Sequence, residues 1–281
     1  MRPDPRGELI EVDGRRFHVV RAGPSNVDPL VLLEAGSYGF SADWGVVQAR
    51  LAARGHRSFA YDRAGMGLSD PGPAPRDSMA IVQDLERLLG AAGEHGPVLL
   101  VGHSMAGLHV RLFAGRNPGR TVGLVLVDAF TPEMGSHPLI DVGAMHYRHF
   151  SRAAVAVAST GALHLFGAAR DAIGLEGEAA EHKRWAFSDP DHTRAAADEI
   201  AEWEACVRQS KGVGAPDPSL PVAVVTAGAF GAMGWLKDMQ AAQATVTVEH
   251  VAGANHASLL GVRYADTIVA AIERVLKALQ P

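Results

Sequence analysis

The sequence predicts an α/β fold: a parallel sheet covered by helices on both faces, with a helical insertion late in the chain. Three observations carry this. Short apolar runs alternate with stretches of helical periodicity from residue 30 to residue 127, the pattern of strands buried on both faces. The alternation stops between about residues 131 and 219, then resumes with two strand-like runs at 222–226 and 245–251. Gly102-His103-Ser104-Met105-Ala106 lies between an apolar run and a helical stretch, where a parallel strand feeds its crossover helix.

Residues 8–12 and 17–21 read as two strands joined by the Asp13-Gly14 turn. A buried strand at 30–33 ends in Glu34-Ala35-Gly36-Ser37-Tyr38-Gly39, and helical patterning covers 44–54. The strand 57–61 runs into Asp62-Arg63-Ala64-Gly65-Met66-Gly67. Over 77–89, Ile81, Val82, Leu85, Leu88 and Leu89 share one helical face, and Gly90 and Gly93 are expected to end that helix. Strands at 97–101 and 122–127 flank a helix reaching about residue 113. A proline-rich linker at 215–221 leads back to the sheet. The final helix, from about residue 265, aligns Ile268, Ile272, Val275, Leu276 and Leu279. The expected division is a core of 1–130 and 220–281, interrupted by a helical cap or lid at 131–219.

Composition excludes several classes. The 281 residues carry 26 basic and 31 acidic side chains, a net charge of −5, so no clustered basic footprint points to nucleic acid. Cys206 is the single cysteine, so no intrachain disulfide can form. No apolar stretch is long enough to span a bilayer, and residues 1–17 lack the apolar core of a secretory signal. The expected location is therefore cytoplasmic, with a small-molecule substrate, no nucleic acid, no membrane, and a monomer or homodimer.

Ser104 is the expected nucleophile. A reactive serine has to stand clear of the sheet at a sharp strand-to-helix turn, which crowds the flanking backbone and calls for small residues at Gly102, Ala106 and Gly107. The helix that follows aims its N-terminal N–H groups at developing negative charge. Among the histidines, His256 follows the last strand, on the edge where active sites form in parallel sheets, and is the expected general base. His103 neighbours the serine and reads as structural or pocket-lining. His146 and His149 have helical spacing, but no third ligand accompanies them, so no metal is expected. The acid is open. Asp128 ends a strand on the correct edge and is favoured. Asp238 is the alternative, because residues 227–232 carry no carboxylate. The Met105 N–H and the loop containing Gly36 and Ser37 would supply the oxyanion hole, with the Ser37 hydroxyl as a further donor. The Gly65-x-Gly67 pair lacks the third glycine and acidic residue of a dinucleotide site.

Leu33-Glu34-Ala35-Gly36, Tyr61-Asp62-Arg63-Ala64-Gly65-Met66-Gly67-Leu68-Ser69 and Leu100-Val101-Gly102-His103-Ser104 resemble the α/β-hydrolase superfamily, specifically its bacterial esterase-like members with a helical cap. The resemblance spans nearly the whole chain. It implies an α/β-hydrolase fold with a mostly parallel eight-stranded sheet, a cap between the sixth and seventh core strands, and no cofactor. It carries roles onto Ser104, His256, Met105 and Ser37, and makes Tyr61-Asp62-Arg63 a structural turn. The expected function is cleavage of an ester, lactone or related acyl bond of a small, mostly apolar substrate through an acyl-enzyme. The alternatives are an acyltransferase, a carbon–carbon hydrolase or lyase, a cyclase, a cofactor-free haloperoxidase, or a small-molecule receptor on the same fold. Dehalogenase and epoxide-hydrolase relatives carry aspartate where Ser104 stands.

Overall fold

The computed structural model describes residues 6–161, 173–228 and 234–280. Eight strands form one sheet: β1 (Glu8–Val12), β2 (Arg15–Ala22), β3 (Leu30–Glu34), β4 (Ser58–Tyr61), β5 (Val98–His103), β6 (Thr121–Val127), β7 (Val222–Ala227) and β8 (Thr247–Val251). Their order is β1-β2-β4-β3-β5-β6-β7-β8. β2 runs antiparallel to β1 and β4, and every other pair is parallel. The fold is thus the α/β-hydrolase architecture that the sequence predicts.

The period of two in the strands divides the core into two layers. Leu32, Leu100, Leu124 and Val222 align across four strands. They bury against α2 (Ser78–Ala91) and α3 (Ala106–Arg116), where Val82, Leu85, Leu88, Val110 and Phe113 meet them. The next residues along the chain, Leu33, Val101, Val125 and Ala223, face the opposite way. They pack with α1 (Gly45–Ala53) and α9 (Ala265–Ala278). Each fully buried aliphatic side chain contributes about 1.5–3 kcal/mol. The sheet is therefore a rigid platform whose parallel strands all end on one edge.

Some boundaries differ from the sequence reading. The helix expected to stop at Gly90 continues through Ala91, and Gly93, at φ +74°, is the residue that ends it. A single glycine inside a helix costs only about 1 kcal/mol, too little to outweigh the burial of Leu88 and Leu89. Asp77 caps the start by accepting from Ala80 N at 2.9 Å.

Between β6 and β7 the described residues form α4 (Pro138–Ser159), α5 (Gly177–Ser188), α6 (Pro190–Ala201) and α7 (Trp203–Gly212). These do not all lie over the strand ends. α7 packs against α2 and α3: Ser78 N donates to Cys206 Sγ, and Met79 N donates to Gln209 Oε1 at 2.9 Å. α4 packs on α6, and α5 on the turn at Ser41–Trp44. α8 (Gly234–Ala241) follows β7. The 229–232 part of the loop read as lacking a carboxylate lies outside the described residues. Among the described residues no helix is long and apolar enough to cross a membrane.

Candidate active site

Four strand ends converge at one edge, and the expected residues sit on the loops that leave them. β5 delivers Ser104, whose φ of +61° is left-handed. Ser104 N donates to Val127 O at 3.2 Å, while Ser104 O accepts from Phe130 N at 2.9 Å and Gly107 N at 3.1 Å. These bonds hold the turn between β5 and α3. β6 delivers Asp128, at φ +42°, and the loop after β3 contains Ser37, at φ +49°. Among the described residues only Asp13, in the β1–β2 turn, is a further non-glycine residue at positive φ. Such conformations cost about 1–3 kcal/mol each, and three of the four concentrate here.

Gly36 belongs to this geometry. A Cβ at that position would stand 2.5 Å from Met105 N and 2.8 Å from His103 O. The loop after β3 therefore lies directly on the turn that carries Ser104, and any side chain at position 36 would push the two apart.

His256 follows β8. Its loop is shaped by Asn255, whose Oδ1 accepts from Ala257 N and Ser258 N at 3.1 and 2.8 Å, and by Tyr264, whose hydroxyl donates to Gly253 O at 2.6 Å. The His256 Nδ1 lies 2.7 Å from Asp128 Oδ2. A carboxylate there fixes the proton on Nδ1 and leaves Nε2 free to accept one. The other oxygen, Asp128 Oδ1, accepts from Ala227 N at 3.2 Å, Lys237 Nζ at 3.1 Å and Gln240 Nε2 at 3.5 Å. Burial raises the pKa of Asp128, but hydrogen bonding and charge from His256 and Lys237 outweigh it and hold the carboxyl well below its usual range. Asp238, the other candidate acid, is exposed on α8; its helix neighbours Lys237 and Gln240 are the residues that reach Asp128. Neither was legible as a partner, since a lysine next to an aspartate on a helix reads as ordinary solvated charge.

His103 braces the His256 loop. Its Nε2 donates to His256 O at 2.9 Å, and the two rings lie 4.5 Å apart, tilted by 32°. Burial, reinforced by the charge of His256, holds His103 down to about 3. His192 on α6 is also buried: its Nδ1 accepts from Gly67 N at 2.9 Å and its Nε2 donates to Tyr38 O at 3.2 Å. Burial, then the charge of Lys183, holds it likewise to about 3. Both rings are neutral in the fold and would protonate when the chain unfolds below about pH 6.5. Depressed values stabilise the fold fully above about pH 6.5, and that contribution is lost as pH falls toward 3. His18 works in the opposite sense: burial lowers it, but its contact with Asp62 outweighs burial and raises it. The expected result is that His103→Gln and His192→Gln each flatten the fall in unfolding free energy between about pH 6.5 and 4.5 by roughly 1.4 kcal/mol per pH unit. Denaturant titrations at several pH values check this; unchanged slopes would mean the rings are not neutralised by burial.

The remaining residues singled out in the sequence also have places. Asp62 is fully buried and accepts from His18 Nδ1 at 2.8 Å, Ser41 N at 2.9 Å and Leu68 N at 2.9 Å, so it closes a structural turn. His146 and His149 are exposed on α4.

A cavity of about 510 Å³ opens onto Ser104 and His256. Its far wall is apolar, formed by Tyr147, Phe150 and Val157 of α4, Phe187 of α5, and Leu260. Lys183 also faces it, but its ammonium is held by Asp43 at 2.8 and 2.9 Å and by Tyr38 O at 3.0 Å. A larger cleft of about 680 Å³ lies between the 64–72 loop and the α5–α6 turn. It is lined by Asp70, Arg76, Asp189 and Arg194 rather than by the serine and its partners.

Residues 28–168 match the family model for the alpha/beta hydrolase fold. The chain belongs to that family. Among curated proteins it is 36% identical over 140 residues to the uncharacterized protein YqjL of Bacillus subtilis, covering 49% of this chain and 53% of that one. It is 36% identical over 98 residues to the probable esterase PIR7A of Oryza sativa, covering 34% and 36%. The chain thus spans about half or less of the length of these curated relatives. Among solved structures, epoxide hydrolase VrEH1 from Vigna radiata superposes with TM-score 0.73 at 18% identity, over 96% of this chain and 97% of that one. A thermophilic esterase from Thermogutta terrifontis superposes with TM-score 0.68 at 22% identity, over 98% and 99%. At such identities the likeness concerns the fold.

Proposed function

We propose that the protein is a serine hydrolase that cleaves an ester, lactone or related acyl bond of a small, mostly apolar substrate. Ser104 attacks the carbonyl carbon while His256 takes its proton. Asp128 keeps the imidazole in the tautomer with Nε2 free and stabilises it when charged. The N–H of Met105 and the Ser37 loop receive the oxyanion. His256 then protonates the leaving group, and in the second half activates water to release the acid. The observation that carries this reading is the 2.7 Å bond from His256 to Asp128 on the edge where Ser104 stands in a left-handed turn.

The substrate class follows from the cavity. Its apolar wall and the internally paired Lys183 favour an uncharged group of modest size over an anion. The likeness to a probable esterase agrees with this. The test is labelling by a fluorophosphonate probe together with hydrolysis of short and medium p-nitrophenyl esters. Labelling with turnover supports the reading. Labelling without turnover on any ester or lactone would move the reaction elsewhere, and no labelling would overturn Ser104 as a nucleophile.

A further inference from the structure

The loop after β3 is held by its carbonyls, and the groups that hold them come from far along the chain. Arg63 Nη1 donates to Ala35 O, and Nη2 donates to Ser37 O at 2.9 Å and Gly39 O at 3.2 Å. Tyr38 O accepts from Lys183 of α5 and His192 of α6. Gly36 O closes a turn by accepting from Gly39 N at 2.8 Å. A trans peptide points its N–H opposite to its carbonyl. Arg63 is 1% exposed and is not part of the cavity wall. It therefore draws the carbonyls of residues 35, 37 and 39 to the buried side and turns the N–H groups of Gly36, Tyr38 and Phe40 the other way. The Gly36–Ser37 peptide, which carries the Ser37 N–H, is thereby fixed between two clamped peptides and by the bond from Gly39 N to Gly36 O.

Arg63 has more anionic partners than neutralisation needs. Glu34 Oε1 lies 3.0 Å from Nη1, and both oxygens of Glu199 lie 2.9 and 3.0 Å from Nε. All three side chains are 1% exposed. A buried ion costs several kcal/mol of desolvation, and Glu34 alone would balance the charge. What Glu199 adds is direction. By engaging Nε it fixes the guanidinium plane, so that both Nη groups face the loop. Glu199 stands on α6, 136 residues from Arg63.

We propose that Glu199 is a positioning residue for the acyl-transfer reaction: through Arg63 it holds the 35–39 loop in the shape that presents Ser37 to the oxyanion. This role rests on the serine-hydrolase reading. It makes turnover depend on α6 being docked against the core, so the segment between β6 and β7 helps to assemble the site as well as cover it.

The variant that tests this is Glu199→Gln, which keeps size but weakens the grip on Nε. In the full chain, kcat on a p-nitrophenyl ester is expected to fall about 10- to 100-fold, in line with degrading one oxyanion donor. KM should stay within about threefold and the pH profile should keep its shape, because substrate contacts and the His256–Asp128 pair are untouched. The rate of fluorophosphonate labelling should fall in parallel with kcat. Unchanged kcat and labelling with a lowered melting temperature would overturn the proposal and leave Glu199 a purely structural ion. If Glu199→Gln is insoluble, Glu199→Asp keeps the charge but draws the carboxylate back from Arg63 Nε; the same fall in kcat and labelling supports the proposal, and unchanged values overturn it. A wild type that neither labels nor turns over defeats the hydrolase reading and the role of Glu199 with it. A working wild type with an unimpaired variant defeats the role of Glu199 alone.

Discussion

Ser104→Ala is expected to lower kcat on a p-nitrophenyl ester by about a million-fold, as loss of the nucleophile does in serine hydrolases, and to abolish fluorophosphonate labelling. Ser104→Gly should lose as much activity yet gain stability. Ser104 is held at φ +61° by backbone bonds to Val127, Gly107 and Phe130, so alanine inherits the strain while glycine escapes it. The difference should be about 1 kcal/mol, a melting temperature roughly 2–4 °C higher for glycine than for alanine. Equal melting temperatures would show that the turn is not strained. Activity surviving in both variants would show that the nucleophile lies elsewhere. The measurement thus separates two links: the backbone conformation that the fold imposes, and the chemistry of the hydroxyl it presents.

Ser104 was legible because its signal is local. A run of aliphatic residues, a tight turn of small residues and a helix occupy one short stretch of chain, and that stretch alone dictates a sharp strand-to-helix turn. Asp128 and His256 were legible for a related reason: each follows a strand whose parallel neighbours place its end on the same edge. The supports of the site carry no such signal. In the sequence Arg63 belongs to a structural turn and nothing singles out Glu199, and only the docking of α6 brings them together out of water. Lys237 and Gln240 become partners of Asp128 only once α8 packs on β7. His103 occupies the variable position of the serine motif, and its contact with the His256 carbonyl depends on a loop 153 residues away. Period and spacing report which face of an element is buried. They do not report which buried charge will meet which.

Asp128→Asn carries the second large effect, and the surroundings of the carboxylate dictate its sign. The introduced amide would be oriented by three donors, Ala227 N, Lys237 Nζ and Gln240 Nε2, all of which address the position of Oδ1. They demand the amide oxygen there, which puts the NH2 group where Oδ2 now faces His256 Nδ1. A donor at that place favours the imidazole tautomer with its proton on Nε2, which cannot accept the proton of Ser104. The expected loss in kcat is about 10⁴-fold, the scale of the equivalent change in serine proteases. The fold should survive, because asparagine tolerates the left-handed backbone at φ +42° as well as aspartate does and keeps the bond from Ala227. Asp238→Asn, on the exposed face of α8, should leave kcat within about twofold, since an exposed surface substitution disturbs little. Steady-state kinetics of the two variants, with melting temperatures as the control for folding, decide the matter. A loss of about tenfold or less in Asp128→Asn, against the 10⁴-fold expected, would mean that the tautomer of His256 is set by something other than Asp128. A large loss in Asp238→Asn would mean that α8 moves to deliver its carboxylate during turnover, and Lys237, which now ties that helix to Asp128, would be the contact that has to break.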